Sequence, residues 1–129
     1  MKLGLFSINV GAGATPQQAR TTAVLAEELG LESLWAIDHV VMPSGYETEY
    51  PYDESGKMMG GAEEVEIADP LTWLTFAAAV TDRIKLGTGV IILPQRNPVV
   101  LAKQAASLDV LSGGPVSYTH LTLPTKRIV

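Results

Sequence analysis

Asp38 and His39 close the apolar run in "SLWAIDHV", where it gives way to a long polar stretch. An imidazole titrates near pH 6.5 and can take up or release a proton at neutral pH. Taken alone, His39 reads as an exposed or hydrogen-bonded loop histidine. Asp38 reads as a turn or capping residue, or as an acid of a site. Arg96, in "PQRN", carries a guanidinium that an acidic ligand would welcome, although structural work in the turn is its first reading. Glu63, Glu64 and Glu66 have no histidine near them in sequence, so a solvated loop suits them better than a metal site. "GAGATP" follows a strand-like run and opens a helix, as dinucleotide fingerprints do, but Pro16 stands where the third glycine belongs. Gly89-Val90 lies inside a strand, where a glycine weakens or bulges a sheet. Trp35 and Trp73 fall on apolar faces and are assigned to the core.

Composition narrows the classes to which such residues could belong. The 129 residues are 47% hydrophobic and 6% aromatic, which suits an α/β domain or part of a larger one. The absence of cysteine excludes disulfides, thiolate metal sites and a cysteine nucleophile. A net charge of −5 with no lysine or arginine cluster argues against nucleic acid as a partner. No apolar run approaches the roughly 18 residues of a membrane span, and Met1-Lys2-Leu3 leads into a strand without a signal-peptide pattern. A cytoplasmic protein with no membrane partner is expected.

The elements that must position these residues alternate along the chain. Residues 2–9 read as a buried strand. Thr15 is then an N-cap, with Pro16 at the first helical position and Gln18 placed for a capping box, and the helix runs to about Leu29 with Gly30 as its stop. Ser33–Ile37 is a second strand. Residues 40–68 hold four Gly or Pro before Lys57, three Tyr and seven acids without a lasting period, the mark of a long functional loop. Asp69-Pro70 opens a second helix, "RIKLGTGVIILP" is the strongest strand, and Asn97-Pro98 opens a third helix that ends at Gly113. Repeated strand-then-helix units with strands apolar along their length imply a parallel sheet. A doubly wound open sheet and the opening of a (β/α)8 barrel both satisfy this pattern. In either, ligands bind at the carboxyl ends of the strands, which gathers residues 9–15, Asp38-His39 and "ILPQRN" on one face.

"MKLGLFS", "LGLESLWAIDHVVMP" and "DPLTWLTFAAAVTDRIKLGTGVIILPQRNPVVLAKQAASLDVLSGG" resemble the first three βα units of the luciferase-like flavin and deazaflavin oxidoreductases, and among them the F420-dependent class. The resemblance implies the start of a TIM barrel, a fold of about 250 residues. It implies that the whole protein passes a hydride between coenzyme F420, or alternatively FMN in a monooxygenase, and a small organic substrate. His39 matches the family's histidine and would take the hydroxyl proton where an alcohol is oxidised. Asp38 matches the acid near the cofactor ring. Gly89 and Val90 match a non-prolyl cis peptide whose bulge backs the deazaflavin, a bond that costs about 3–4 kcal/mol and persists where its surroundings enforce it. A homodimer of the whole protein is left open, and a non-catalytic α/β fragment or binding module is the reading from another class.

Departure from that resemblance begins after Gly114. The resemblance implies an arginine and a glycine-rich fourth strand, whereas Pro115 is followed by "VSYTHLTLPT", which matches the translation of a transposase adaptor used to prepare sequencing libraries. Residues 115–129 are therefore expected to be a non-native tail, and residues 1–114 the N-terminal part of a luciferase-like TIM-barrel domain. Such a piece is expected to be inactive alone, with open strand edges and exposed apolar faces.

Overall fold

A computed structural model describes residues 1–58, 65–114 and 116–121, the last five of these by their backbone. Glu63 and Glu64 lie outside the described residues. Strands β1 (Gly4–Phe6), β2 (Ser33–Ala36), β3 (Lys85–Ile92) and β4 (Ser117–Leu121) form one sheet in chain order, every neighbouring pair parallel. Helices α1 (Pro16–Glu28), α2 (Pro70–Ala78) and α3 (Pro98–Leu111) connect them. Strand order never reverses, as it must in a doubly wound sheet, so the arrangement is that of the opening of a (β/α)8 barrel. Among the described residues no helix is long and apolar enough to cross a membrane, and no cluster of acids and histidines could hold a metal.

Side chains at the helix starts account for the boundaries. Thr15 accepts from the Gln18 N–H, Asp69 from the Thr72 N–H and Asn97 from the Val99 and Val100 N–H groups, each just before a proline at the first turn. The capping box at α1 is half made: the Gln18 side chain donates forward to Thr22 Oγ1 at 3.3 Å, and the Thr15 N–H goes to the Ala12 carbonyl instead. That carbonyl belongs to a 3-10 turn at Gly11–Ala14, which local pattern did not reveal. Strand β1 stops early because Ser7 takes φ 60°, a left-handed conformation that turns the chain out of the sheet.

Alternation divides the sheet into a covered and an open face. Leu34, Ala36 and Leu86 are buried with Ala19, Ala23 and Ala26 of α1, with Leu71, Leu74 and Ala77 of α2 and with Leu108 of α3 in one apolar core. Phe6, Trp35 and Gly87 are register partners on the opposite face, where Phe6 is exposed. Trp35 is half-buried there, lying across Gly87 so closely that a Cβ at 87 would come within 2.7 Å of its ring. Trp73 is buried, and its indole N–H donates to the Gly13 carbonyl at 2.8 Å.

One expectation is modified at β3. Among the described residues there is no cis peptide, so Gly89-Val90 is trans. The bulge is nevertheless present: Thr88 and Ile91 of β3 pair with Tyr118 and His120 of β4, leaving one extra residue on β3. That residue bends the strand with ordinary peptides. Ser117–Leu121, within the stretch expected to be a tail, lies parallel along the β3 edge. Ladder bonds are made by backbone groups, so an extended segment can occupy that edge with little demand on its side chains.

Glu27 ties the far ends of the units together. Its carboxylate accepts the N–H groups of Asp82 at 3.0 Å, Arg83 at 2.6 Å and Ile84 at 2.9 Å, the turn that feeds β3. Burial pushes this carboxyl up, but the three backbone donors and the Arg83 charge together outweigh it and hold it below its ordinary value. A depressed folded pKa contributes stability above the unfolded value of about 4.3 that is lost as pH falls through the lowered one. Acid titration of stability is therefore expected to be shallower in Glu27→Gln than in the parent chain below about pH 4.3; equal slopes would dismiss the link.

Candidate functional site

Asn9, Asp38 and Arg96 build the carboxyl end of the sheet. Asn9, fully buried just beyond β1, donates to the Ile37 carbonyl at 2.8 Å and the Ala68 carbonyl at 2.6 Å, and accepts the Ile37 N–H at 2.9 Å. The returning end of the long loop is stitched to the same place: the Ala68 N–H reaches the Asn9 carbonyl at 3.0 Å and the Gly11 N–H reaches Glu66 at 2.7 Å. Gly13 is required there by close approach, since a Cβ would meet the Ile8 carbonyl oxygen at 2.1 Å. Gly13→Ala is expected to cost about 1–3 kcal/mol, read as a lower thermal midpoint, because backbone must move to admit the methyl. The glycines of "GAGATP" thus serve a tight turn and contact with Trp73.

Asp38 follows β2 and its side chain is 1% exposed. Its Oδ2 accepts the Ile92 N–H at 3.1 Å and Arg96 Nε at 2.9 Å, and its Oδ1 accepts Arg96 Nη2 at 2.7 Å. The same Nη2 donates to Asp69 Oδ2 at 2.7 Å, so one guanidinium joins the end of β2, the turn after β3 and the cap of α2. Two carboxylates, Asp38 foremost, raise the Arg96 pKa against its partial burial and keep it charged. Burial raises the Asp69 carboxyl, but the Thr72 N–H and Arg96 together draw it below its usual range.

His39 lies beside this clamp. It lines a cleft of about 320 Å³ with Asp38, Val40, Ile67, Asp69, Gln95 and Arg96. Its Nδ1 is buried and has no hydrogen-bond partner, an uncommon state for a polar atom. Of the residues singled out in sequence, Asp38 and His39 are brought together in this cleft, and Arg96 joins them as an ion-pair partner that sequence reading had assigned to turn structure. Gly89 and Val90 stand apart at the bulge, where a Cβ on Gly89 would meet Phe6 at 2.8 Å. Asn9 was missed as a structural tie; its position at the end of the first strand was the available signal.

Comparison with known proteins places this geometry in context. The family described as luciferase-like monooxygenase matches residues 1–116. An uncharacterised protein of Mycobacterium tuberculosis is 33% identical over 117 residues, covering 91% of this chain and 40% of its own length. The F420-dependent glucose-6-phosphate dehydrogenase of Amycolatopsis mediterranei is 32% identical over 102 residues, covering 78% of this chain and 26% of the relative. Among solved structures, riboflavin lyase with modified FMN and riboflavin superposes with a TM-score of 0.71 at 19% identity, covering 98% of this chain and 31% of that one. The chain spans less than half the length of these proteins.

Proposed function

The chain belongs to the luciferase-like monooxygenase family, an oxidoreductase class, and from that premise we propose that the whole protein is an F420-dependent oxidoreductase acting on a small hydroxylated substrate. The observation that carries the reading is His39, with a buried unpartnered Nδ1 at the carboxyl end of the second strand, in a cleft beside a fixed charge cluster. The F420-dependent relative at 32% identity supports the choice of cofactor.

The residues present fit such a group at one end. Gly89 and Val90 would back a flat ring at the bulge, with Phe6 as its neighbour, and His39 would stand on the substrate side of the cleft. When bound, the deazaflavin supplies a carbon that accepts hydride. His39 takes the hydroxyl proton from the substrate.

Titration of the whole protein with F420 and, separately, FMN tests the proposal by fluorescence. F420 binding, followed by its reduction when an alcohol is added, is expected. Binding of FMN alone would overturn the assignment.

A further inference from the structure

Asp38, although it stands next to His39, turns its carboxylate into the protein. Both oxygens are occupied, by the Ile92 N–H and by two nitrogens of Arg96, and the side chain is only 1% exposed. A ligand could reach this carboxylate only by displacing a bidentate, charge-assisted pair. The acid beside the histidine is therefore built for anchorage, and Arg96 is the residue that completes the anchor.

We propose, resting on the reading of His39 as proton acceptor, that Arg96 is a positioning residue for that step. Its guanidinium locks Asp38, and through the peptide shared by residues 38 and 39 it sets where the imidazole stands in the cleft. A second bond to Asp69 fixes the guanidinium itself to the capped start of α2. Three elements must then move together before His39 can move. A planar fork is needed for this, because an ammonium cannot hold both Asp38 oxygens and Asp69 in the same geometry.

Steady-state kinetics of the whole protein separates this role from simple structural support. Arg96→Lys is expected to lower kcat about 10²-fold, as a displacement near 1 Å does, with KM and F420 affinity held. In Arg96→Gly, added guanidinium ion is expected to restore kcat in proportion to its occupancy. Should either variant fail to fold, Asp38→Asn combined with Arg96→Met leaves no unpaired buried charge and is expected to fold with kcat reduced by a similar factor. Wild-type kcat in a folded Arg96→Lys or double variant would overturn the proposal, as would a folded Arg96→Gly that guanidinium does not restore. If the wild type fails to bind F420, or His39→Ala retains full activity, the underlying proton-transfer reading fails and this one falls with it.

Discussion

His39→Ala in the whole protein is expected to lower kcat by about 10²–10⁴-fold, the range over which a positioned general base contributes. The expectation rests on location and on bonding. His39 is partly buried in the cleft at the end of β2, and its Nδ1 is held out of water with nothing to bond. Keeping a polar atom in that state costs about 1–3 kcal/mol, a cost that a purely structural histidine would relieve by turning to a neighbour. F420 affinity should change little, because removing the imidazole takes away a proton acceptor and leaves the bulge and the charge cluster standing. Single-turnover measurement of hydride transfer, alongside fluorescence titration of the cofactor, checks both halves. Unaltered turnover would remove His39 from the reaction.

The second large effect concerns stability. Arg96→Ala is expected to destabilise the whole protein by about 3–5 kcal/mol, because it leaves a buried carboxylate without its counter-charge. The Asp38 side chain is 1% exposed and that of Arg96 13%, so neither charge can be repaired by water without opening the fold. Asp69 would lose one partner but keep its hydrogen bonds to Thr72, which limits the damage at α2. Glu32, bridged to both Lys2 and Lys85 at the surface, gives the internal contrast. Side-chain freedom and screening by salt make such a pair a minor contributor, so Glu32→Gln should scarcely move the transition. Urea unfolding of the two variants side by side measures the difference; equal shifts would contradict the assignment of Arg96 to a buried clamp.

Much of this architecture was legible in local chemistry. Thr15-Pro16, Asp69-Pro70 and Asn97-Pro98 marked three helix starts because a side-chain acceptor and a missing N–H act within one turn. The parallel order followed from apolar strands separated by helices. What escaped was long-range. Arg96 lies 58 positions from Asp38, and a short "PQRN" turn carries no sign of the carboxylate it will meet. The position of Asn9 after the first strand marks it as a candidate tie but not its two bonds to Ile37, since an amide that replaces a ladder partner looks like any polar residue there. The resemblance implies a cis bond at Gly89-Val90, whereas the extra residue on β3 produces the bend with trans peptides. The pairing of Ser117–Leu121 along β3 is made by backbone groups and is indifferent to side-chain identity.

The Asn9 amide has a kinetic consequence. By holding the Ile37 N–H and carbonyl at once, it seals the peptide that leads into Asp38 and His39 as a neighbouring strand would. The Ile37 amide hydrogen should then exchange with solvent deuterium far more slowly than those of the loop beyond it, at a rate set by opening of the sheet end. In Asn9→Ala that proton should exchange early, before the core amides of β3, and its lifetime would measure how long the histidine's platform stays closed.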